Sequence, residues 1–320
     1  MSAFFGRIEK FTGKTMSQSQ SSLKTPLPFK AQILVCLIKT VGYLPLSAAR
    51  RFGAALGWCS WLVQARGAKV TRENIALCFP DLTAEQQLAL AKSSVIETGK
   101  LAAEVCVIRQ RDPQWLQARI KAIHGEALIK EEIAKGKGLI LLAPHLGNWE
   151  VLGLTLPSYG KMTALYQPPK QAYLEELVKS SRQKTGAELV PTTRRGVVKL
   201  LTSLKSGGIT AVLPDQNPAH GSGEFSPFFG HLAYTMTMVH GFVNRADCPL
   251  IMGFVLRVKD GFEVFFIQAD EAIYSKDPAE SLAAMNQAVE KCIAHCPEQY
   301  QWEYKRFKKI PPNGVKRYRF

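Results

Sequence analysis

The chain has 320 residues, enough for one large domain or two small ones and for a substantial hydrophobic core. Hydrophobic residues make up 46% and charged residues 21%, which excludes wholesale disorder. The net charge of +15 favours polyanionic partners. With no zinc-finger spacing, basic-region zipper or aromatic RNA-binding signature, nucleic acid gives way to anionic lipid surfaces and to acidic or phosphorylated substrates.

Residues 1–27 are polar, rich in Ser, Thr, Gln and Lys, and read as a leader rather than a signal peptide. Residues 28–66 read as a membrane-associated helical segment. Within it, Ala31–Leu46 and Phe52–Val63 are strongly apolar, but Lys39, Gly42, Pro45, Arg50 and Arg51 interrupt them. Neither stretch reaches the roughly 20 apolar residues of a clean span. Tyr43, Trp58 and Trp61, with basic residues on both flanks, fit a hairpin lying in or dipping into a membrane interface. A single tilted span and a pair of buried core helices are the alternatives. Lys24 and Lys30 precede the segment and Arg66, Lys69 and Arg72 follow it, so the positive-inside tendency keeps residues 67–320 on the cytoplasmic side.

From about residue 70 the pattern is α/β. Ala84–Val107, with Thr83 as N-cap, and Asp112–Lys135 read as helices. Leu139–Ala143 is a short continuous apolar run, which fits a strand buried on both faces. Met162–Tyr166, Glu188–Pro191 and Ile209–Leu213 read as further strands, with a helix over Arg195–Lys205 ended by Gly207 and Gly208. Leu250–Val258 and Phe262–Gln268 form a hairpin around Lys259-Asp260-Gly261, and Pro278–His295 is a helix. Alternating strands and helices predict a mainly parallel central sheet flanked by helices, with one late antiparallel pair.

The seven cysteines are odd in number, scattered and mostly within apolar stretches, so they read as reduced, buried thiols. Cys292, His295 and Cys296 lie close together but lack a fourth ligand at a matching spacing, so they read as helix packing and no metal is expected. No G-x-G-x-x-G opens a helix and no H-E-x-x-H occurs, so neither a dinucleotide nor another cofactor is expected.

The sharpest chemical feature is His145-Leu-Gly-Asn-Trp-Glu150, which follows a predicted strand and opens a predicted helix. Ligands of open α/β sheets sit beyond the carboxyl ends of strands, which makes His145 a candidate base. A carboxylate on its other ring nitrogen would fix the tautomer, and Glu150 is the candidate. On a continuous helix residues five apart point about 140° apart. The pair meets only if His145 lies on the loop and Glu150 in the first turn, which Pro144 and Gly147 allow. Asp215 also follows a strand directly, so it belongs at the same sheet edge.

His145-x4-Glu150 resembles the H-x4-D/E motif of the glycerolipid acyltransferase superfamily. The finer resemblance is to the lipid A biosynthesis (late) acyltransferases, the lauroyl/myristoyl transferase type of Gram-negative bacteria. It covers nearly the whole chain from about residue 30 and rests on ordered blocks: Arg72–Asp81, Tyr166-Gln-Pro-Pro169 followed by Arg182, Pro214-Asp215-Gln216, Pro227–Gly230, and Pro297–Trp302 with Arg306-Phe307-Lys308. The E-G-T-R-type phosphate motif of other superfamily branches is absent, which argues against a glycerol-phosphate acceptor.

The resemblance implies transfer of a fatty acyl group from an acyl carrier protein thioester to a hydroxyl of an acyl chain on a phosphorylated glucosamine lipid, at the cytoplasmic face of a bacterial inner membrane. It implies His145 as general base oriented by Glu150, and substrate-binding roles for Arg182, Asp215, Asn148, Gln216 and Arg306. Arg182 suits a phosphate or a developing oxyanion. Lys305–Phe320 carries seven basic residues and no acid, a surface for lipid phosphates, headgroups or the acidic carrier. Two alternatives stay open: an acyltransferase for another glycolipid or a lysophospholipid using coenzyme A or carrier thioesters, and a non-enzymatic basic adaptor on a membrane surface.

Overall fold

The computed structural model describes residues 29–166 and 186–320. Helices α1 (Phe29–Tyr43), α2 (Leu46–Leu62) and α3 (Arg66–Cys78) lead into the long α4 (Ala84–Gln110). Thr83 caps α4 with a capping box: its hydroxyl accepts from the Gln86 N–H while the Gln86 side chain takes the Thr83 N–H. Helix α2 crosses α4 at a glycine contact. A Cβ on Gly53 would meet the Gly99 carbonyl oxygen at 2.3 Å, and one on Gly99 would meet the Gly53 oxygen at 2.1 Å. Only glycine on both helices permits that approach.

The remaining elements in chain order are α5 (Pro113–Gln117), β1 (Ile120–His124), α6 (Glu126–Ala134), β2 (Leu139–Leu142), α7 (Trp149–Thr155), β3 (Thr163–Tyr166), β4 (Glu188–Pro191), α8 (Arg194–Lys205), β5 (Ile209–Val212), β6 (Gly223–Phe228), β7 (His231–Met236), α9 (Met238–Ala246), β8 (Leu250–Val258), β9 (Gly261–Gln268) and α10 (Pro278–Ile293). The central sheet has the order β1-β9-β8-β2-β5. It is parallel except between β8 and β9, whose hairpin turns at Asp260 with φ 57°. Strands β3 and β4 pair in parallel beside it, and β6–β7 form a separate antiparallel hairpin.

Strand β2 is the axis of the core. Its four residues are fully buried, Ile140 and Leu142 on one face of the sheet and Leu139 and Leu141 on the other. That two-sided burial is why the strand reads as an unbroken apolar run.

The expected helix over Asp112–Lys135 is instead α5, strand β1 and α6. Ile120–His124 is captured by the free edge of β9, a tertiary event that helical periodicity does not register. Gly125, at φ 73°, then turns the chain into α6. The β6–β7 hairpin is an addition to the expected elements; Phe229 and Gly230, both at positive φ, form its two-residue turn.

The described part of the 28–66 segment folds as α1 and α2, and among the described residues no helix is long and apolar enough to cross a membrane. One face of α2 packs on α4. The other leaves Phe52, Leu56, Trp58 and Leu62 exposed, continuing an exposed face on α1 that includes Phe29, Ile33 and Leu37.

Candidate active site

Strand order delivers the site. Leu142 at the end of β2 and Val212 at the end of β5 are register partners. His145 and Asp215 each follow three residues later, so two adjacent parallel strands release them side by side. His145 Nδ1 lies 2.8 Å from Asp215 Oδ1, and the His145 backbone N–H donates to Oδ2 at 2.9 Å. Both carboxylate oxygens therefore face one residue. Asp215 is 2% exposed. Burial pushes its carboxyl up, but the charge and hydrogen bonds of His145 and the Tyr300 hydroxyl outweigh burial and hold it below its ordinary range.

An ionised Asp215 assigns the Nδ1 proton to its own bond and leaves Nε2 as the lone-pair nitrogen. Nε2 faces the side-chain amide of Gln216, whose Nε2 is 3.1 Å away. The same amide nitrogen donates to Gln301 Oε1 at 3.1 Å, so both of its hydrogens have acceptors and the amide has one satisfied orientation. The Trp149 ring meets the imidazole edge-on, with centroids 4.7 Å apart.

The loop after His145 is held on two sides. Gly147, at φ 59°, presses against β8: a Cβ there would sit 1.8 Å from the Val255 carbonyl oxygen. On the other side the chain near the C-terminus pairs with the loop. Gly147 N–H donates to the Gln299 oxygen at 2.9 Å, and Gln301 N–H donates to the His145 oxygen at 3.0 Å. This pairing brings in Tyr300, Gln301 and Glu303, which sequence reasoning does not single out. The trace of Tyr300 and Gln301 in the sequence is the resemblance of Pro297–Trp302 as a block, and Glu303 lies just outside it. Glu303 accepts from the Thr98 hydroxyl at 3.0 Å, and burial raises its carboxyl above the ordinary value.

For three of the expected residues the geometry shows other partners. The carboxylate on His145 Nδ1 is Asp215, not Glu150, because parallel pairing supplies it from the neighbouring strand. Glu150, in the first turn of α7, forms an ion pair with Arg109 of α4 at 3.3 Å. Asn148 is fully buried as the N-cap of α7, with Oδ1 accepting from the Val151 N–H and Nδ2 donating to Glu104 Oε2 at 2.9 Å; it does not face the site. Arg306 is 3% exposed and spends its guanidinium on the Tyr234 carbonyl, the Thr235 hydroxyl and Asn286, fastening the chain end to β7 and α10. Arg182 lies outside the described residues, as do Gln167, Pro168 and Pro169 of its block. In the Cys292–Cys296 stretch, Cys292 is buried and His295 packs on the rings of Phe254 and Phe265.

A carboxylate-oriented imidazole whose Nε2 accepts from an amide can, once a hydroxyl displaces that amide hydrogen, deprotonate the hydroxyl and stabilise the oxyanion of acyl transfer. Residues 16–309 match the family model described as bacterial lipid A biosynthesis acyltransferase. The chain is 25% identical over 287 residues to the lipid A biosynthesis lauroyltransferase of Escherichia coli (strain K12), covering 86% of this chain and 90% of that one. It is 24% identical over 275 residues to the palmitoleoyltransferase of the same organism, covering 84% and 87%. It is 22% identical over 300 residues to the myristoyltransferase, again of that organism, covering 92% and 86%. The chain belongs to the bacterial lipid A biosynthesis acyltransferase family, and it is an acyltransferase.

Proposed function

We propose that the protein transfers a fatty acyl chain from an acyl carrier protein thioester to a hydroxyl of an acyl chain on a lipid A precursor, with His145 as general base. The observation that carries this reading is the Asp215–His145–Gln216 line, in which Nδ1 is tied to a buried carboxylate and the Nε2 lone pair accepts from an amide hydrogen that an entering hydroxyl can displace. The acceptor O–H gives its proton to Nε2. Its oxygen attacks the thioester carbonyl, the new ester C–O bond forms as the C–S bond breaks, and the departing thiolate regains a proton from the imidazolium. No acyl-enzyme is needed. The entering hydroxyl displaces the Gln216 amide hydrogen from Nε2, which frees that hydrogen for the developing oxyanion, and Arg182 supplies a guanidinium for a lipid phosphate. Family membership supports the acceptor class. The net charge of +15 supports both an acidic carrier and a phosphorylated lipid.

The exposed apolar face of α1 and α2 supports seating on a membrane surface, which for a lipid A precursor is the cytoplasmic face of the inner membrane. The test is transfer by the purified protein from an acyl carrier protein thioester to a tetra-acylated, sugar-bearing lipid A precursor, read by mass spectrometry. His145→Ala should cut the rate by at least about 10²-fold. A folded variant working at near-normal rate would remove His145 from the mechanism. Transfer from coenzyme A thioesters alone would move the donor assignment.

A further inference from the structure

Helix α2, helix α4, strand β8 and the catalytic loop meet at one carboxylate. Glu104, on α4, is 0% exposed. Its Oε1 accepts from Arg50 Nε at 2.6 Å and Arg257 Nε at 2.7 Å. Its Oε2 accepts from an Arg257 terminal nitrogen at 2.9 Å and from Asn148 Nδ2 at 2.9 Å. Arg50 comes from α2 and also donates to the carbonyl oxygens of Val258 and Gly261, at 2.6 and 2.8 Å, in the turn between β8 and β9. Arg257 also pairs with Glu97 of α4. Asn148 lies three residues from His145, and its own N–H is fixed to the Val255 oxygen at 2.8 Å.

A buried carboxylate and two guanidiniums are costly to desolvate, and an apolar cluster would stabilise a fold as well. What the ionic cluster adds is direction: each lone pair has one partner, and one partner is the residue that caps the catalytic helix. The arginine at its far side belongs to the helix whose outer face carries Phe52, Leu56, Trp58 and Leu62. We propose that the Arg50–Glu104–Arg257 cluster is a positioning device for the reaction, acting on His145 through Asn148 and tying the pose of helix α2 to the reactive geometry of the loop. The carboxyl of Glu104 is held ionised for this purpose: burial pushes it up, and the charges and bonds of Arg257 and Arg50, with the Asn148 amide, bring it below its ordinary value.

This inference rests on His145 being the base. Replacing Glu104 strands two buried guanidiniums and risks the fold, so the informative variants lie at the ends of the chain of contacts. Asn148→Ser keeps an oxygen to cap the Val151 N–H and deletes the donor to Glu104. Arg50→Met deletes the link to α2. Glu104 is the one side chain that Asn148 and Arg50 share, and Asn148→Ser leaves the backbone contact of residue 148 with β8 in place, so the side-chain coupling of the pair is read through Glu104. The assay is steady-state acyl transfer for both single variants, the double variant and His145→Ala, with melting temperature alongside.

The expected result for Asn148→Ser is kcat lower by about 10- to 10²-fold, the scale of a misplaced catalytic group, with KM nearly unchanged. The double variant should be no worse than the poorer single. Full kcat in Asn148→Ser, or a double-variant loss equal to the product of the singles, overturns the coupling. His145→Ala keeps the two failures apart: an active His145→Ala breaks the mechanism itself, whereas an inactive one beside a normal Asn148→Ser breaks only the positioning claim.

Discussion

Asp215→Asn isolates the orienting carboxylate, because asparagine keeps the shape and replaces one acceptor with a donor. In the wild type both oxygens accept from His145, one from Nδ1–H and one from the backbone N–H. Asparagine has one oxygen for the two. If the oxygen faces the ring, its NH2 opposes a buried backbone N–H, at about 1–3 kcal/mol for the unsatisfied pair. If the NH2 faces the ring, Nδ1 must accept, the proton moves to Nε2, and the base is lost. The second arrangement leaves the fold intact and resembles the Asp→Asn change in a Ser-His-Asp triad, where kcat falls about 10⁴-fold. At 1.36 kcal/mol per decade that is about 5 kcal/mol of barrier. The assay is single-turnover transfer from the carrier thioester across pH 6–9, with circular dichroism to check the fold. A folded Asp215→Asn retaining more than about a tenth of wild-type kcat would refute Asp215 as the orienting group and return the role to Glu150.

Further outcomes follow from the same contacts. Gly147→Ala places a Cβ 1.8 Å from the Val255 oxygen, so the loop must shift; transfer should fall about 10²-fold with most of the core's hydrogen-exchange protection retained. Glu104→Gln should lower unfolding free energy by about 3–5 kcal/mol in urea, since both guanidiniums lose a buried charge partner. Asp215 and Glu104 both have lowered folded-state values, so each contributes stability that is present above its ordinary value, 3.8 and 4.5 respectively, and lost as pH falls through the folded value. Glu303 is raised, so its ionisation costs stability as pH rises above 4.5; Glu303→Gln should therefore gain more in melting temperature at pH 8 than at pH 4. Leu56 and Leu62 are 51% and 55% exposed, and Leu56→Ser with Leu62→Ser should weaken binding to anionic vesicles about tenfold, from roughly 1.5 kcal/mol of lost apolar transfer for the pair. Unchanged vesicle binding would take the membrane seat away from α2.

Local pattern alone carried His145 far. An apolar run with no alternation identifies a strand buried on both faces, and residues just beyond such a strand lie at the ligand-bearing edge of an α/β sheet. The same reasoning placed Asp215 at that edge. Gly147 was readable as a loop residue. Sequence proximity then gave Glu150 to His145, because a single chain shows which residues are near each other along it and not which strands are neighbours. The sheet order decided otherwise: β2 and β5 pair with Leu142 opposite Val212, and that register puts Asp215 on Nδ1 while Glu150 turns to Arg109.

Asn148 and Arg306 show a second limit. Polar residues in a functional block look like substrate contacts, yet both are buried here and hold structure. Strand β1 shows a third, since Ile120–His124 becomes a strand only because β9 has an open edge. The parallel core, the candidate histidine and the apolar N-terminal helices were legible along the chain, because they depend on periodicity and on residues adjacent in it. The histidine's carboxylate, the enclosing Tyr300–Glu303 segment and the Arg50–Glu104–Arg257 cluster came only with the packed fold. Each of those joins residues far apart in the chain, and only the register of packed elements brings them within hydrogen-bonding distance.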